Sequence, residues 1–197
     1  MKKLEYIKDK STGIEIVSYE DVDLSYPVHT HLGHLIFGIV TGGIVGVKID
    51  REEYECREGE LFSIAVNVPH SIYPVSERYS MISICLPAED DIDRDLDIIR
   101  KEIIGSPELE ISIADMSEKV HISSYHMIRK FAKENGLTPH KFQLQCRIRK
   151  AQEMLEQGVK VVDVAAAVGF CDQSHLCKTF KKMVGISPEE YIKSIIC

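Results

Sequence analysis

From Glu15 to about Leu86 the apolar positions come in short runs rich in Ile, Val and Phe, such as Leu35-Ile36-Phe37-Gly38-Ile39-Val40 and Leu61-Phe62-Ser63-Ile64-Ala65-Val66. Between them lie Gly42-Gly43, Asp50-Arg51-Glu52 and Arg57-Glu58-Gly59-Glu60, the small, flexible or charged compositions that make turns. This rhythm predicts about seven or eight short strands in roughly 75 residues, hence a small, spare sandwich or barrel. Pro87-Ala88-Glu89-Asp90-Asp91 breaks the pattern. From Ile92 the apolar positions fall on Leu96, Ile99 and Ile103, three or four apart, which is one face of a helix ended near Gly105-Ser106-Pro107. After Glu110 the periodicity is helical almost throughout. Ser112 and Ser123 are placed to cap helix starts, Gly136 to stop a helix, and Thr138-Pro139 and Ser187-Pro188 to open new ones.

The helical half repeats itself. Ile113-Ala114-Asp115-Met116 through Val120 matches Val161-Val162-Asp163-Val164 through Val168, and Phe131, Gly136, Pro139 and Phe142 match Phe180, Gly185, Pro188 and Tyr191 one residue further out of step. The extra residue falls where the first helix of each unit turns into the second. Each unit therefore reads as short helix, tight turn, second helix, glycine stop and capped third helix, the plan that places a second helix in a DNA major groove. Met116, Val120, Phe131, Ala165, Val168 and Phe180 sit at core spacing, and Gly169 serves the turn, where a positive φ suits glycine. A helix from Pro139 to about Gln157 joins the units, with Phe142, Cys146, Ile148, Ala151, Met154 and Leu155 on its apolar face and Lys141, Arg147, Lys150 and Glu153 largely elsewhere. Two reading heads on one connector fit successive major grooves about one helical turn, ~10 bp, apart.

Charge sharpens the division. The net charge of −7 is made of −7 in residues 1–90, −4 in 91–110 and +4 in 111–197, so a polyanion is the natural partner of the last segment. With 44% hydrophobic and 28% charged residues the chain is neither disordered nor fibrous. No run reaches the ~18–20 apolar residues of a membrane span. Met1-Lys2-Lys3-Leu4-Glu5 lacks the apolar stretch of a signal peptide, so a soluble cytoplasmic protein is expected. Cys56, Cys85, Cys146, Cys171, Cys177 and Cys197 are scattered with no C-x-x-C pair and read as reduced thiols.

Residues 111–192 closely resemble the DNA-binding domain of the AraC family of bacterial transcription regulators. The second unit carries the signature as Val164-Ala165-Ala166-Ala167-Val168-Gly169-Phe170-Cys171-Asp172-Gln173-Ser174-His175-Leu176-Cys177-Lys178-Thr179-Phe180-Lys181-Lys182, followed by Gly185-Ile186-Ser187-Pro188-Glu189-Glu190-Tyr191. Leu176 stands where the family usually has Phe and Lys178 where Arg is common. The resemblance implies that Ser124, Tyr125, Ile128 and Arg129 of the first unit, and Gln173, Ser174, His175, Cys177 and Lys178 of the second, face DNA. Arg can bond a guanine edge, Gln an adenine edge, and Ile or Tyr can pack on a thymine methyl. Lys133, Lys181 and Lys182 suit phosphate neutralisation.

The strand-rich half resembles the cupin-like effector domain that precedes the DNA-binding domain in many members of that family. The resemblance rests on His29-Thr30-His31, the Gly42-Gly43 turn, and Arg57-Glu58-Gly59-Glu60-Leu61-Phe62-Ser63-Ile64 leading to Val68-Pro69-His70-Ser71. Metal-binding cupins add a Glu a few residues after the first pair; here the position falls near Leu35 or Ile36, with His34 close by. His29 and His31 alternate along a strand and would share a face, so with His70 they offer three imidazoles to a divalent transition metal such as Zn, Ni, Fe or Cu. The same cavity would alternatively hold an organic effector with His29, His31, His70 and Tyr73 as its polar groups.

The expected fold is therefore two domains: an all-β cupin-like barrel (1–88), a partly helical linker (89–110) and an all-α domain with two helix-turn-helix units joined by a linker helix (111–197). The expected function is a sequence-specific, non-enzymatic DNA-binding regulator that senses a small molecule or metal. Its partners are double-stranded promoter DNA, RNA polymerase and a second copy of the chain, for which the Leu96, Ile99 and Ile103 stripe is the candidate contact unless it packs on its own chain. The alternative is a cupin metalloenzyme with an accessory helical domain, against which the missing Glu counts. A protein-interaction module is a third reading. Cys171 and Cys177 flank the second reading helix, where thiol modification would impair binding.

Overall fold

The computed structural model describes residues 3–49, 52–88 and 96–196. The chain forms two compact units, one of residues 1–90 with 189–197 and one of residues 91–188.

The first unit contains strands β1 (Lys3–Asp9), β2 (Glu15–Val22), β3 (Tyr26–His29), β4 (His34–Gly42), β5 (Ile44–Ile49), β6 (Glu52–Arg57), β7 (Leu61–Ile64), β8 (His70–Pro74) and β9 (Tyr79–Pro87). These nine exceed the seven or eight expected, because the run before Glu15 also pairs as β1, antiparallel to β2. With β10 (Ile195–Ile196), parallel to β1, they make a six-stranded sheet in the order β10-β1-β2-β9-β4-β7 and a four-stranded sheet in the order β3-β8-β5-β6. Strict alternation directs Tyr79, Met81, Ser83 and Cys85 of β9 inward, opposite Val17, Tyr19, Ile36 and Val40 of the same sheet and Val45, Val47 and Ile72 of the other. Tyr191 is wholly buried in this unit, its ring 5.1 Å from that of Tyr6. The Gly42-Gly43 turn is a corner: β4 lies in one sheet and β5 in the other, so the chain changes sheets there. Gly43 has φ +74°, and a Cβ would stand 2.4 Å from the Arg78 carbonyl oxygen, so the corner requires glycine.

The second unit is helical: α1 (Asp97–Gly105), α2 (Ile113–Lys119), α3 (Ser124–Asn135), α4 (Pro139–Glu156), α5 (Val161–Ala167) and α6 (Gln173–Val184), with α7 (Pro188–Ser194) following. The expected helix start at Ile92 and the break at Glu89-Asp90-Asp91 lie outside the described residues, as do Asp50-Arg51 and Cys197. Leu96, Ile99 and Ile103 are buried, and α1 packs against α4, so this stripe serves its own unit and leaves Ile98 and Ile104 as the exposed apolar residues of α1. The Leu96 amide donates to Glu134 Oε2 (3.2 Å), fixing the start of α1 on α3.

The expected caps form where the physics asked for them. Ser112 accepts from the Asp115 amide (3.2 Å) and Ser123 from His126 (3.4 Å), while Gly136 and Gly185 end α3 and α6 in the left-handed conformation; Asp172, not among the expected caps, accepts from the His175 amide (2.7 Å) and opens α6. Thr138 opens α4 by its extended backbone before Pro139, without a side-chain cap bond. Met116, Met127, Phe131, Phe142, Val164, Leu176 and Phe180 fill the core. Among the described residues no helix is long and apolar enough to cross a membrane.

Candidate nucleic-acid interface and effector site

Helices α2 and α3 form one helix-turn-helix unit, α5 and α6 the other. The two turns solve the same problem differently. Gly169 takes φ +81°, and its counterpart in the first unit, His121, takes φ +53° with a side chain. The second turn is the tighter surrounded: a Cβ on Gly169 would lie 2.6 Å from the Glu108 carbonyl oxygen.

In α6, Leu176 and Phe180 face the core, so Gln173, Ser174, His175, Lys178, Lys181 and Lys182 are exposed and Cys177 is half-buried. His175 stands edge-on to Phe170 at 5.0 Å between centroids, which orients its ring at the start of the helix. In α3, Tyr125, Arg129 and Lys133 are exposed and Ile128 is half-buried. Arg129 Nη1 donates to Tyr125 Oη (2.9 Å), with its guanidinium 5.5 Å from the ring centre, so the two form one prearranged surface. Ser124 is differently employed: it is half-buried, and its hydroxyl lies 3.0 Å from that of Ser117, linking α3 to α2. His126, also exposed on the first turn of α3, escaped the sequence reading although it adjoins Tyr125.

Arg147 of the connecting helix is not part of a solvated face. It is half-buried, its Nε donates to Pro107 O (2.7 Å) and its Nη1 to Gly169 O (2.6 Å), with longer bonds to Glu108 O (3.3 Å) and Leu109 O (3.4 Å). Gln143 donates to Pro107 O (3.0 Å) and to Leu109 O, and Lys150 pairs with Glu108 (2.7 Å). One side chain thus fastens the segment leading into α2 to the turn before α6.

In the first unit β3 and β8 pair with His29 directly opposite His70. His31 lies two residues past His29, beyond the end of β3. The three rings gather with centroid separations of 4.3 Å (His29–His70), 5.0 Å (His29–His31) and 5.4 Å (His31–His70), and one ligand nitrogen from each lies within 4.8 Å of the others. His29 Nδ1 donates to Pro27 O (2.8 Å) and His70 Nδ1 to Val68 O (2.9 Å). A carbonyl can only accept, so both Nδ1 atoms carry the proton and both Nε2 atoms present lone pairs. His29 Nε2 is 3.1 Å from His31 Nε2, and His31 Nδ1 is 3.7 Å from Cys85 Sγ of the facing sheet. His70 Nε2 is buried with no hydrogen-bond partner. Burial pushes His29 below the usual histidine range, and burial with the neighbouring His29 takes His70 down to about 3, so both are neutral near pH 7.

Tyr73 does not join this group. It follows the inward-facing Ile72 on β8 and so points to the opposite face, where its ring covers Gly46 and its hydroxyl donates to Glu53. His34 is buried, but its Nδ1 bonds Leu32 O (2.7 Å) and its Nε2 faces Glu15 (3.8 Å). A separate open groove of about 540 Å³, lined by Val47, Tyr54, Cys56, Leu61 and Phe62, contains none of the four expected effector residues. None of the five described cysteines forms a disulfide.

A strand-built unit with converging imidazoles in one chain with a duplicated helix-turn-helix defines a class of two-part proteins, one part shaped to bind a ligand and one shaped to bind DNA. The family models agree: the AraC-like ligand binding domain matches residues 11–130, more than half of the chain, and a helix-turn-helix domain matches residues 116–194. The chain belongs to the AraC family. The HTH-type transcriptional regulator MtrA of Neisseria gonorrhoeae is 32% identical over 102 residues, 51% of this chain and 34% of that protein. An uncharacterised HTH-type transcriptional regulator of Bacillus subtilis, YbfI, is 42% identical over 66 residues, 34% of this chain and 24% of that protein. The matched stretches thus span about a quarter to a third of these curated relatives. The crystal structure of ToxT from Vibrio cholerae O395 shares the fold, with a TM-score of 0.64 at 12% identity over 94% of this chain and 98% of that one. These matches are to regulators and give the metalloenzyme alternative no support.

Proposed function

We propose that this protein is a sequence-specific transcription regulator in which the helical unit binds promoter DNA and the β unit binds the effector that controls it. The observation that carries the reading is the duplicated helix-turn-helix whose second helices, α3 and α6, each keep a buried apolar face and an exposed face of groups suited to base edges and phosphates. Tyr125, Ile128, Arg129, Gln173, Ser174, His175, Cys177 and Lys178 meet bases, and Lys133, Lys181 and Lys182 meet phosphates. Ser124 acts mainly by holding α3 on α2. Coupling requires that the effector bind the DNA-competent and incompetent arrangements with different affinities. Such a regulator works in the cytoplasm, pairs with a second copy and contacts RNA polymerase.

The test is footprinting of the full chain on the upstream region of its own gene across a salt series. Two protected patches about 10 bp apart, lost in Arg129→Ala and Lys178→Ala and weakening steeply with salt, are the expected result. Salt-insensitive binding, or no protection at low salt, would count against DNA as the partner.

A further inference from the structure

The proton arithmetic of the histidine cluster does not close without a further occupant. His29 and His70 both direct bare Nε2 lone pairs inward, because each Nδ1 proton is committed to a backbone carbonyl. One proton, on His31 Nε2, can serve His29 across 3.1 Å. In that state His31 Nδ1 is an acceptor for the Cys85 thiol, and His70 Nε2, buried and aimed into the cluster, has nothing to accept from. An orphaned buried acceptor beside two others is unfavourable by itself. It becomes favourable when a cation takes all three lone pairs.

His29, His31 and His70 stand where the resemblance to metal-binding cupins places ligands, and they fit one divalent transition-metal ion through their Nε2 atoms; we propose that the Cys85 thiol, outside the ligand set, positions His31 for that ion by accepting a hydrogen bond from its Nδ1. In the metal-bound form the single His31 proton sits on Nδ1 rather than Nε2. Cys85 keeps its own proton and turns it away, so no proton is lost and the sulfur becomes the acceptor.

Tetrahedral ligation at ~2.0–2.1 Å requires nitrogens about 3.4 Å apart. His29 and His31 already meet that spacing, and the wider separations, all within 4.8 Å, close by ring rotation. The backbone carbonyls of Pro27 and Val68 are the outer partners that hold ligand histidines in the required tautomer. Three imidazoles without a carboxylate favour zinc, nickel, copper or iron over magnesium or calcium. They leave a fourth position open. That this ion is the effector rests on the regulator reading; that it binds does not.

The experiment is titration of the chelator-treated full chain with zinc and with cobalt, followed by calorimetry and by visible and X-ray absorption. One ion per chain, with three nitrogen scatterers and no sulfur, is expected. His70→Ala and His70→Gln lose binding by at least about 100-fold, Cys85→Ala weakens it roughly 10–100-fold at unchanged stoichiometry, and Cys85→Ser recovers part of that loss. Tyr73→Phe binds as the parent does. Fewer than three nitrogens in the wild-type spectrum, no saturable binding, or full binding in a folded His70→Gln protein would overturn the site. A sulfur scatterer, or Cys85→Ala without effect, would overturn the role given to Cys85. Saturable metal binding that leaves DNA affinity unchanged would overturn the ion's role as effector and keep the site. A protein that binds metal but no DNA would overturn the regulator reading instead.

Discussion

Replacing Arg147 with Met keeps most of the stem volume and removes the guanidinium that joins Pro107 O to Gly169 O. Hydrogen bonds from charged groups are worth about 1.5–3 kcal/mol each, so the two short bonds alone suggest about 3–6 kcal/mol. Two effects reduce that sum. The guanidinium is half-buried and its own desolvation is relieved on removal. Gln143 continues to donate to Pro107 O and Leu109 O, so Gly169 O is the acceptor left worst served. A loss of about 2–4 kcal/mol remains, and for a unit of this size about 10–30 °C in Tm. The assay is thermal unfolding followed at 222 nm, which reports the helices. Arg57→Met is the control, because its 3.4 Å pair with Glu55 is 63% exposed on the arginine side and such pairs are worth at most about 1 kcal/mol. If Arg147→Met melts within about 3 °C of the parent, or no lower than Arg57→Met, the bracing role is wrong.

Gly169→Ala combines a positive φ with a 2.6 Å approach to Glu108 O and should cost about 2–4 kcal/mol, read by denaturant unfolding, whereas Gly59→Ala, whose Cβ meets nothing, should cost only the ~1–2 kcal/mol of its own positive φ. Phe180→Ala should destabilise the helical unit by about 3–5 kcal/mol, visible as a lower denaturant midpoint at unchanged slope. Lys181→Ala should weaken DNA binding nearly equally across sequences and reduce the salt slope by about 1, while Arg129→Ala should cost about 1–3 kcal/mol and relax preference at one base position, both read by titration against variant duplexes. In the metal-free protein His70 is held neutral, with its pKa lowered from 6.5 to about 3. The unfolded chain therefore binds the extra proton between those values, so stability falls as pH drops from about 6.5 towards 3, and His70→Gln should flatten that part of the curve in pH-dependent urea melts.

The amino-acid sequence by itself determined that the chain has a strand-rich and a helix-rich part and that the latter is a duplicated helix-turn-helix. It did so because these features are written in local signals: the period of apolar residues, the serines before helix starts, and glycines at the stops. The core residues of α3 and α6 and their exposed faces followed from that period, since a helix buries one side whatever lies beyond it. The strand count was less legible, because β1 differs from a loop only by pairing with β2. Tertiary structure alone decided which side chains converge. His70 and Tyr73 are three residues apart, so they face opposite ways once both lie in one strand, and only the pairing of β8 shows that both do. The approach of Cys85 to His31 joins β9 to the loop after β3 across 54 residues of chain, and no spacing in the sequence encodes it. Arg147 reads as a surface residue by helical period, yet it donates to four backbone carbonyls, three from the segment before α2 and one from the turn before α6. Local order came from interactions within a few residues, and the sites came from contacts that exist only once the chain has closed on itself.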